Sequence, residues 1–197
     1  MKNTEKSAGQ PRRLTVREIG GGEWLKLEYI EFEDRDGRRR SWEAAGRRRQ
    51  RGAVVMIARL RPSGDYVLVE QYRPPVNASV LEFPAGLVDA AESPETTAVR
   101  ELLEETGYRG TLLDMSPASL SSPGMSAETA YLAVMDIDEN RAENRTPRPQ
   151  CEEGEHIEVF RVAPAAVREF LARRAAAGVL LDSKVRAYFL GAAAGSG

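Results

Sequence analysis

Three glutamates on one face of a predicted helix are the residues of this chain best suited to chemistry. Glu101 and Glu105 are four positions apart and Glu104 lies between them, so their carboxylates share one stripe of the helix surface. Like charges repel each other there, and the helix dipole disfavours anions near a C-terminal end. A hard cation such as Mg²⁺ or Mn²⁺ prefers oxygen ligands and would neutralise the cluster. The stripe therefore predicts a divalent-metal site, and the alternative is a solvated acidic helix face.

The helix itself is predicted from its two ends. Ser93 supplies a capping hydroxyl, Pro94 suits the first helical position, and Glu95 complements the helix dipole. Gly107 is typical of the residue at which a helix stops, so about 13 residues are expected between the two ends.

Glycines, an arginine and carboxylates recur around this helix at fixed spacing. The chain here resembles the Nudix hydrolases, whose signature reads Gly, five residues, Glu, seven residues, Arg-Glu, an aliphatic residue, any residue, Glu-Glu, any residue, Gly and an aliphatic residue. The matching positions are Gly86, Glu92, Arg100, Glu101, Glu104, Glu105 and Gly107. Tyr108 departs from the pattern at the last aliphatic position, but its apolar body can still pack.

Composition argues against several other classes of protein. The chain has 197 residues and a formal net charge of −2, whereas a dedicated nucleic-acid binder is usually strongly basic. Its single cysteine, Cys151, has no partner for an intramolecular disulfide. With one histidine, His156, the sequence also argues against a zinc centre or a Ser-His-Asp triad. No N-terminal apolar run resembles a signal peptide or a membrane span, so a cytoplasmic location and no membrane partner are expected.

Hydrophobic patterning predicts an α/β fold preceded by a small β-strand domain. We expect a polar tail over residues 1–10, an N-terminal β domain over 11–51 and a short tail over 194–197, and the resemblance implies a Nudix hydrolase domain over 52–193. Strands are expected at 14–19, 24–33, 38–45, 53–60, 66–72, 81–83, 111–113, 130–137 and 156–162, and amphipathic helices at 164–177 and 184–193. The charged stretch 138–155 is expected to be a functional or mobile loop. The Nudix resemblance implies an α/β/α sandwich with a mixed sheet.

Arg73 lies at the end of a strand, before two prolines that cannot continue it. A guanidinium there suits bidentate recognition of a phosphate, and the alternative is a surface ion pair. Together with 82–86 and 122–126, the segment 70–75 is similar to the ADP-ribose and ADP-sugar pyrophosphatase branch of the family. That resemblance also covers 22–27 and 41–43, and therefore most of the chain.

The two tryptophans, Trp24 and Trp42, both lie in the N-terminal strands. Each could anchor the segment to a neighbouring core, or stack on a nucleobase. The resemblance favours stacking, because it implies a homodimer that exchanges these strands and sandwiches adenine between aromatics from the two subunits. It also implies that Glu43 and Arg47 contact the base or the phosphates. The surrounding arginines could otherwise be a nucleic-acid patch or a solvated strand edge, and the net charge argues against nucleic acid.

The resemblance implies a division of roles around the diphosphate. Two or three Mg²⁺ ions, with Mn²⁺ as a substitute, would be held by the set Glu101, Glu105, Glu104, the Ala85 carbonyl and Glu82. Arg100 and Glu92 would pair and fix the helix to the preceding loop. The general base would come from the loop before the last strand, with Glu155 as first choice and Glu153 as second.

The implied reaction is hydrolysis of ADP-ribose or a related ADP-sugar to AMP and a sugar phosphate. One alternative is an enzyme for another diphosphate, such as GDP-mannose or an oxidised nucleotide. A second alternative is a non-catalytic nucleotide-sugar sensor, although a sensor would have no need to keep three mutually repelling carboxylates.

Overall fold

The computed structural model describes residues 9–49, 52–151 and 154–194, and these form two compact units. The first unit combines residues 9–49 with Leu120–Thr129, and the second holds the other described residues. The strands are β1 (Arg12–Gly21), β2 (Leu25–Glu33), β3 (Arg39–Arg47), β4 (Ala53–Arg61), β5 (Tyr66–Arg73), β6 (Ala78–Glu82), β7 (Ala85–Leu87), β8 (Thr111–Met115), β9 (Ser119–Leu120), β10 (Thr129–Asp138), β11 (Ile157–Val162) and β12 (Leu180–Leu181). The helices are α1 (Pro94–Thr106), α2 (Ala142–Arg145), α3 (Val167–Ala176) and α4 (Ser183–Ala194).

The first unit is built on an antiparallel sheet in the order β1-β2-β3. The hairpin predicted between β2 and β3 is present, because the Gly37 N–H donates to the Asp34 carbonyl at 3.0 Å. The outer side of β3 is met by the later segment of this unit, where the Ala45 N–H donates to the Met125 carbonyl at 2.9 Å. Residues 120–129 were expected to belong with the catalytic domain, but they group with these strands, and Ser126 forms a parallel bridge with Ala45.

The second unit contains a mixed sheet with the strand order β12-β6-β5-β4-β10-β8, in which β11 also pairs with β5 and β7 with β4. The β4–β10 and β6–β12 pairs are parallel, and the remaining pairs along this order are antiparallel. This mixed sheet confirms the α/β architecture expected from the sequence.

Alternation along β4 creates the three layers. Val54 and Met56 face a core that includes Ala98 and Leu102 of α1. The odd positions of β4, such as Val55, face the opposite core, which contains the apolar sides of α3 and α4. The helix faces expected to be apolar are therefore the buried ones.

The ends of α1 are those predicted. The Ser93 hydroxyl accepts a hydrogen bond from the Thr96 N–H at 3.2 Å, and Pro94 occupies the first turn. Gly107 adopts a left-handed conformation with φ 74°, and its N–H donates to the Leu103 carbonyl at 2.8 Å. Both caps fix the length of the helix and hence the position of its glutamates.

Two segments expected to be loops have regular structure. The stretch 84–86, which follows the strand expected at 81–83 and reads as a loop, contributes Ala85 and Gly86 to the short strand β7, and the predicted loop over 138–155 contains α2. Asn144 of α2 is buried and exchanges hydrogen bonds with the backbone of Arg109, at 2.8 and 2.9 Å. This contact ties the first part of the long segment to the chain just beyond α1.

Candidate active site

Glu105 is the most deeply buried carboxylate of the α1 stripe, with 7% of its surface exposed. The Ala85 N–H donates to its Oε2 at 2.9 Å and so links α1 to β7. Burial raises the pKa of Glu105 to about 8, and the charges of Glu101 and Glu155 act in the same direction. Burying an ionised carboxylate without a partner costs desolvation free energy, and a bound cation would offset that cost. Glu105 is therefore well suited to bind a cation.

Glu101 packs directly against the backbone of Gly86. A Cβ atom added to Gly86 would lie only 1.9 Å from the Glu101 Cδ. Burial raises the pKa of the Glu101 carboxyl, while the neighbouring Arg100 opposes that shift. Gly86, the first residue of the signature, therefore provides the space that the Glu101 carboxylate occupies.

Arg100 connects the helix to the preceding loop, as predicted. Its Nε and Nη2 donate to the Glu92 carboxylate at 3.1 and 3.0 Å. The hydroxyl of Thr97 donates to the same carboxylate at 2.9 Å, and these contacts lower the pKa of Glu92, with Arg100 as the larger cause. The Arg100 Nη1 also reaches Glu104 at 2.7 Å and Glu101 at 3.0 Å. Arg100 thus orients one carboxylate of the loop and offsets the charge of two on the helix.

Arg73 and Glu82 form a two-point ion pair at the ends of β5 and β6. The Arg73 Nη2 and Nε lie 2.5 and 3.1 Å from the Glu82 Oε2, and 40% of the Arg73 side chain is exposed. The positive charge of Arg73 also acts to lower the pKa of Glu105, against the larger effect of burial. The ion pair that was the alternative reading of Arg73 is present, and its predicted contact with a phosphate stays a prediction.

Glu155 is exposed, and its charge contributes to raising the pKa of both Glu101 and Glu105. The chain just before it is attached to α1, because the Gln150 N–H donates to the Glu104 carbonyl at 2.7 Å. Glu153, the second candidate for the base, lies outside the described residues.

The predicted base-binding residues all lie in the first unit. Trp24 and Trp42 have 63% and 52% of their surfaces exposed, so neither is buried as a core anchor in this chain. The Trp42 indole N–H donates to the Gly124 carbonyl at 3.0 Å. Glu43 and Arg47 are exposed. Successive side chains of a strand point to opposite faces of the sheet, so Glu43 and Arg47 lie on the face of β3 opposite to Trp42. A ring stacked on Trp42 would meet Glu43 only at the backbone or around the strand edge.

Sequence reasoning missed three contributors to these sites. The signature contained Gly86 without a stated role, and its close contact with Glu101 is visible only in three dimensions. Thr97 gave no signal, since helical threonines are common and its hydrogen bond to Glu92 depends on how the loop folds. Glu128 binds Arg47 across 81 positions of sequence, a separation that no local pattern reports.

The described carboxylates of this site do not by themselves form a closed set of metal ligands. Within the described ranges, no three His, Cys, Asp or Glu side chains converge closely enough to hold an ion. Two of these carboxylates are paired with arginines, Glu104 with Arg100 and Glu82 with Arg73. The donor set nevertheless fits a hard divalent cation, because it consists of carboxylate oxygens beside the space left by Gly86.

Comparison with known proteins adds independent information. The sequence of residues 49–182 matches the family model of the NUDIX domain. The ADP-sugar pyrophosphatase of Mus musculus is 36% identical over 95% of this chain and 90% of its own length. The ADP-ribose pyrophosphatase of Saccharomyces cerevisiae is 34% identical over 87% of this chain and 78% of its own length. A crystal structure of an ADP compounds hydrolase aligns with a TM-score of 0.65, at 23% identity, over 85% of this chain and 86% of that one, and this likeness supports the fold alone.

Among the described residues, no helix has both the length and the apolar character needed to cross a membrane. The cytoplasmic location expected from the sequence stays a prediction.

Proposed function

The chain belongs to the Nudix hydrolase family, and we propose that it hydrolyses the diphosphate bond of ADP-ribose or a related ADP-sugar to AMP and a sugar phosphate. The observation that carries the proposal is the carboxylate stripe of α1, with Glu105 buried and Glu101 seated against Gly86. The relatives named as ADP-sugar and ADP-ribose pyrophosphatases, similar over most of the chain, support the choice of substrate.

A divalent cation fits this site, and Mg²⁺ is our choice, with Mn²⁺ as a substitute. Glu101 and Glu105 would hold it, and the additional oxygens would come from Glu104, the Ala85 carbonyl and Glu82. When bound, the metal supplies charge neutralisation of the diphosphate oxygens and a lowered pKa for the attacking water. Little covalent chemistry is then left to the protein, which contributes mainly by positioning its charges.

Arg73 would bind the diphosphate through its guanidinium. The ion pair with Glu82 already holds the guanidinium in one position, with 40% of the side chain exposed. Substrate and metal together would offer each partner a new ligand: phosphate oxygens for Arg73 and the cation for Glu82. Arg100 and Glu92 would stay paired and keep the loop aligned with α1.

Glu155 is our first choice for the base that accepts a proton from the attacking water. Two observations support this choice: the charge of Glu155 acts on the pKa of Glu101 and Glu105, and Gln150, earlier in the same loop, is hydrogen-bonded to α1. Glu153 remains the second candidate.

The nucleotide would be recognised by Trp24, Trp42, Glu43 and Arg47, in a homodimer that exchanges the N-terminal strands. The large exposed area of both indoles supports this assignment, because an unburied tryptophan offers a stacking surface. Two-fold exchange would give each sheet a partner surface that three strands alone do not provide.

A substrate panel tests the proposal against its alternatives. The protein is incubated with Mg²⁺ and ADP-ribose, an ADP-hexose, GDP-mannose or an oxidised nucleoside triphosphate, and products are separated by chromatography. We expect AMP and ribose 5-phosphate to be the fastest-formed products. Faster turnover of GDP-mannose or of the oxidised nucleotide would replace the substrate assignment, and binding of ADP-ribose without any hydrolysis would favour the sensor.

A further inference from the structure

The segment 122–128 runs alongside β3 and is held there by its backbone. The Trp42 indole N–H donates to the Gly124 carbonyl at 3.0 Å, and the Ala45 N–H donates to the Met125 carbonyl at 2.9 Å. Neither of these contacts involves the side chain at the last position of the segment.

That last position is Glu128, whose carboxylate accepts a hydrogen bond from the Arg47 Nε at 2.5 Å. The backbone of Glu128 is fixed on both sides. Its N–H donates to the Ser126 hydroxyl at 3.3 Å, and its carbonyl accepts from the Ser121 N–H at 3.3 Å. The carboxylate thus meets Arg47 from a well-defined point of the segment.

The neighbouring arginine makes a useful contrast. Arg48 uses both of its Nη nitrogens on Glu18, at 3.1 and 2.5 Å, and its Nε on the Gly22 carbonyl at 2.8 Å. Arg47 uses only its Nε, and its Nη nitrogens donate to no other residue within 9–49, 52–151 and 154–194. All three nitrogens of the Arg48 guanidinium donate to Glu18 or Gly22. Among the described residues, Arg47 donates only through its Nε, so the N–H groups on its two Nη nitrogens are available to a ligand.

We propose that Glu128 is a positioning residue that sets the direction of the Arg47 guanidinium for an anionic group of the nucleotide. The inference rests on the proposed function, in which Arg47 contacts the substrate. An ion pair this exposed adds little to folding stability. The ion pair does restrict the long Arg47 side chain before the substrate binds. Less conformational entropy is then lost on binding, so the entropic cost of binding is smaller.

The test uses Glu128→Ala, with Glu18→Ala as the matched control because it removes the partner of the adjacent arginine. Both variants are measured for KM and kcat with ADP-ribose and Mg²⁺, and for Tm. We expect Glu128→Ala to raise KM about three- to tenfold with kcat within about twofold, while Glu18→Ala leaves KM unchanged. Glu128→Gln keeps an acceptor oxygen at the same reach and should recover most of the affinity.

The pairing with Arg47 is tested by combining substitutions. If Glu128 acts through Arg47, the double variant Arg47→Ala, Glu128→Ala should have the same KM as Arg47→Ala alone. A KM for Glu128→Ala equal to that of Glu18→Ala, or additive effects in the double variant, would overturn the inference while the hydrolase assignment stands. A wild-type protein that does not hydrolyse ADP-ribose would overturn the proposed function, and the inference with it.

Discussion

Replacing Gly86 with alanine should abolish most turnover while leaving the fold intact. The added Cβ would lie 1.9 Å from the Glu101 Cδ and 2.2 Å from its Oε1, whereas ordinary contact begins near 3.4 Å. The carboxyl group must therefore move by at least about 1.5 Å. Metal ligands tolerate errors of only about 0.2 Å, and a misplacement of about 1 Å in an active site can cost on the order of 10²-fold in rate.

The cost in stability should be small, for two reasons. Gly86 does not have a left-handed φ, so alanine introduces no backbone strain there. The atoms in the way belong to the end of a flexible side chain, which can rotate aside. We therefore expect kcat to fall by about 10²-fold or more while Tm changes by no more than about 2 °C.

The assay is steady-state hydrolysis of ADP-ribose with saturating Mg²⁺, run beside thermal unfolding. Gly191→Ala is the matched control, because a Cβ at Gly191 of α4 would meet nothing within 4 Å. It should keep wild-type kcat. Wild-type kcat in Gly86→Ala would refute the reasoning, and so would a loss of kcat that only accompanies a large fall in Tm.

Three further predictions concern charge, base recognition and assembly. In metal-free protein, the folded-state pKa of Glu105 is about 8, above its usual value of 4.5. The folded state therefore binds the Glu105 proton more tightly than the unfolded state does. This contribution to the free energy of unfolding is complete below pH 4.5 and is lost as the pH rises towards 8. In chelator, wild-type Tm should therefore fall across this window more steeply than that of Glu105→Gln; equal slopes would contradict the assignment. Trp42→Ala should raise KM for ADP-ribose much more than it lowers Tm, whereas a core anchor would show a large loss of Tm with unchanged KM. Deleting residues 1–51 should give monomers without affinity for ADP-ribose by light scattering and calorimetry, and a fully active monomer would refute both the strand exchange and the shared base site.

The sequence predicted α1 well because the information is local. Ser93 and Gly107 specify the ends through hydrogen bonds within a few residues, and the spacing of Glu101 and Glu105 then places both carboxylates on one stripe. The apolar sides of α3 and α4 were readable for the same reason, since periodicity is a local property.

The remaining features depend on contacts between distant segments. The strand β7 has three residues, includes Gly86, and exists because β4 lies beside it, so its own sequence reads as a loop. The pairing of Arg47 with Glu128 depends on how 120–129 returns to the N-terminal strands. Arg73 could be placed at a strand end from the prolines that follow, but its contact with Glu82 could not, because the register of β5 and β6 places Glu82 opposite Val69 and the two side chains reach each other along the strands.

The most direct test of the central claim is the kcat of Glu101→Gln with ADP-ribose and saturating Mg²⁺. This substitution keeps the size of the side chain and removes the charge that would hold the cation. We expect kcat to fall by about 10²-fold or more with only a modest change in KM, because a metal ligand acts on the chemical step and not on recognition. A near wild-type kcat would contradict the assignment of the α1 carboxylates as the metal site.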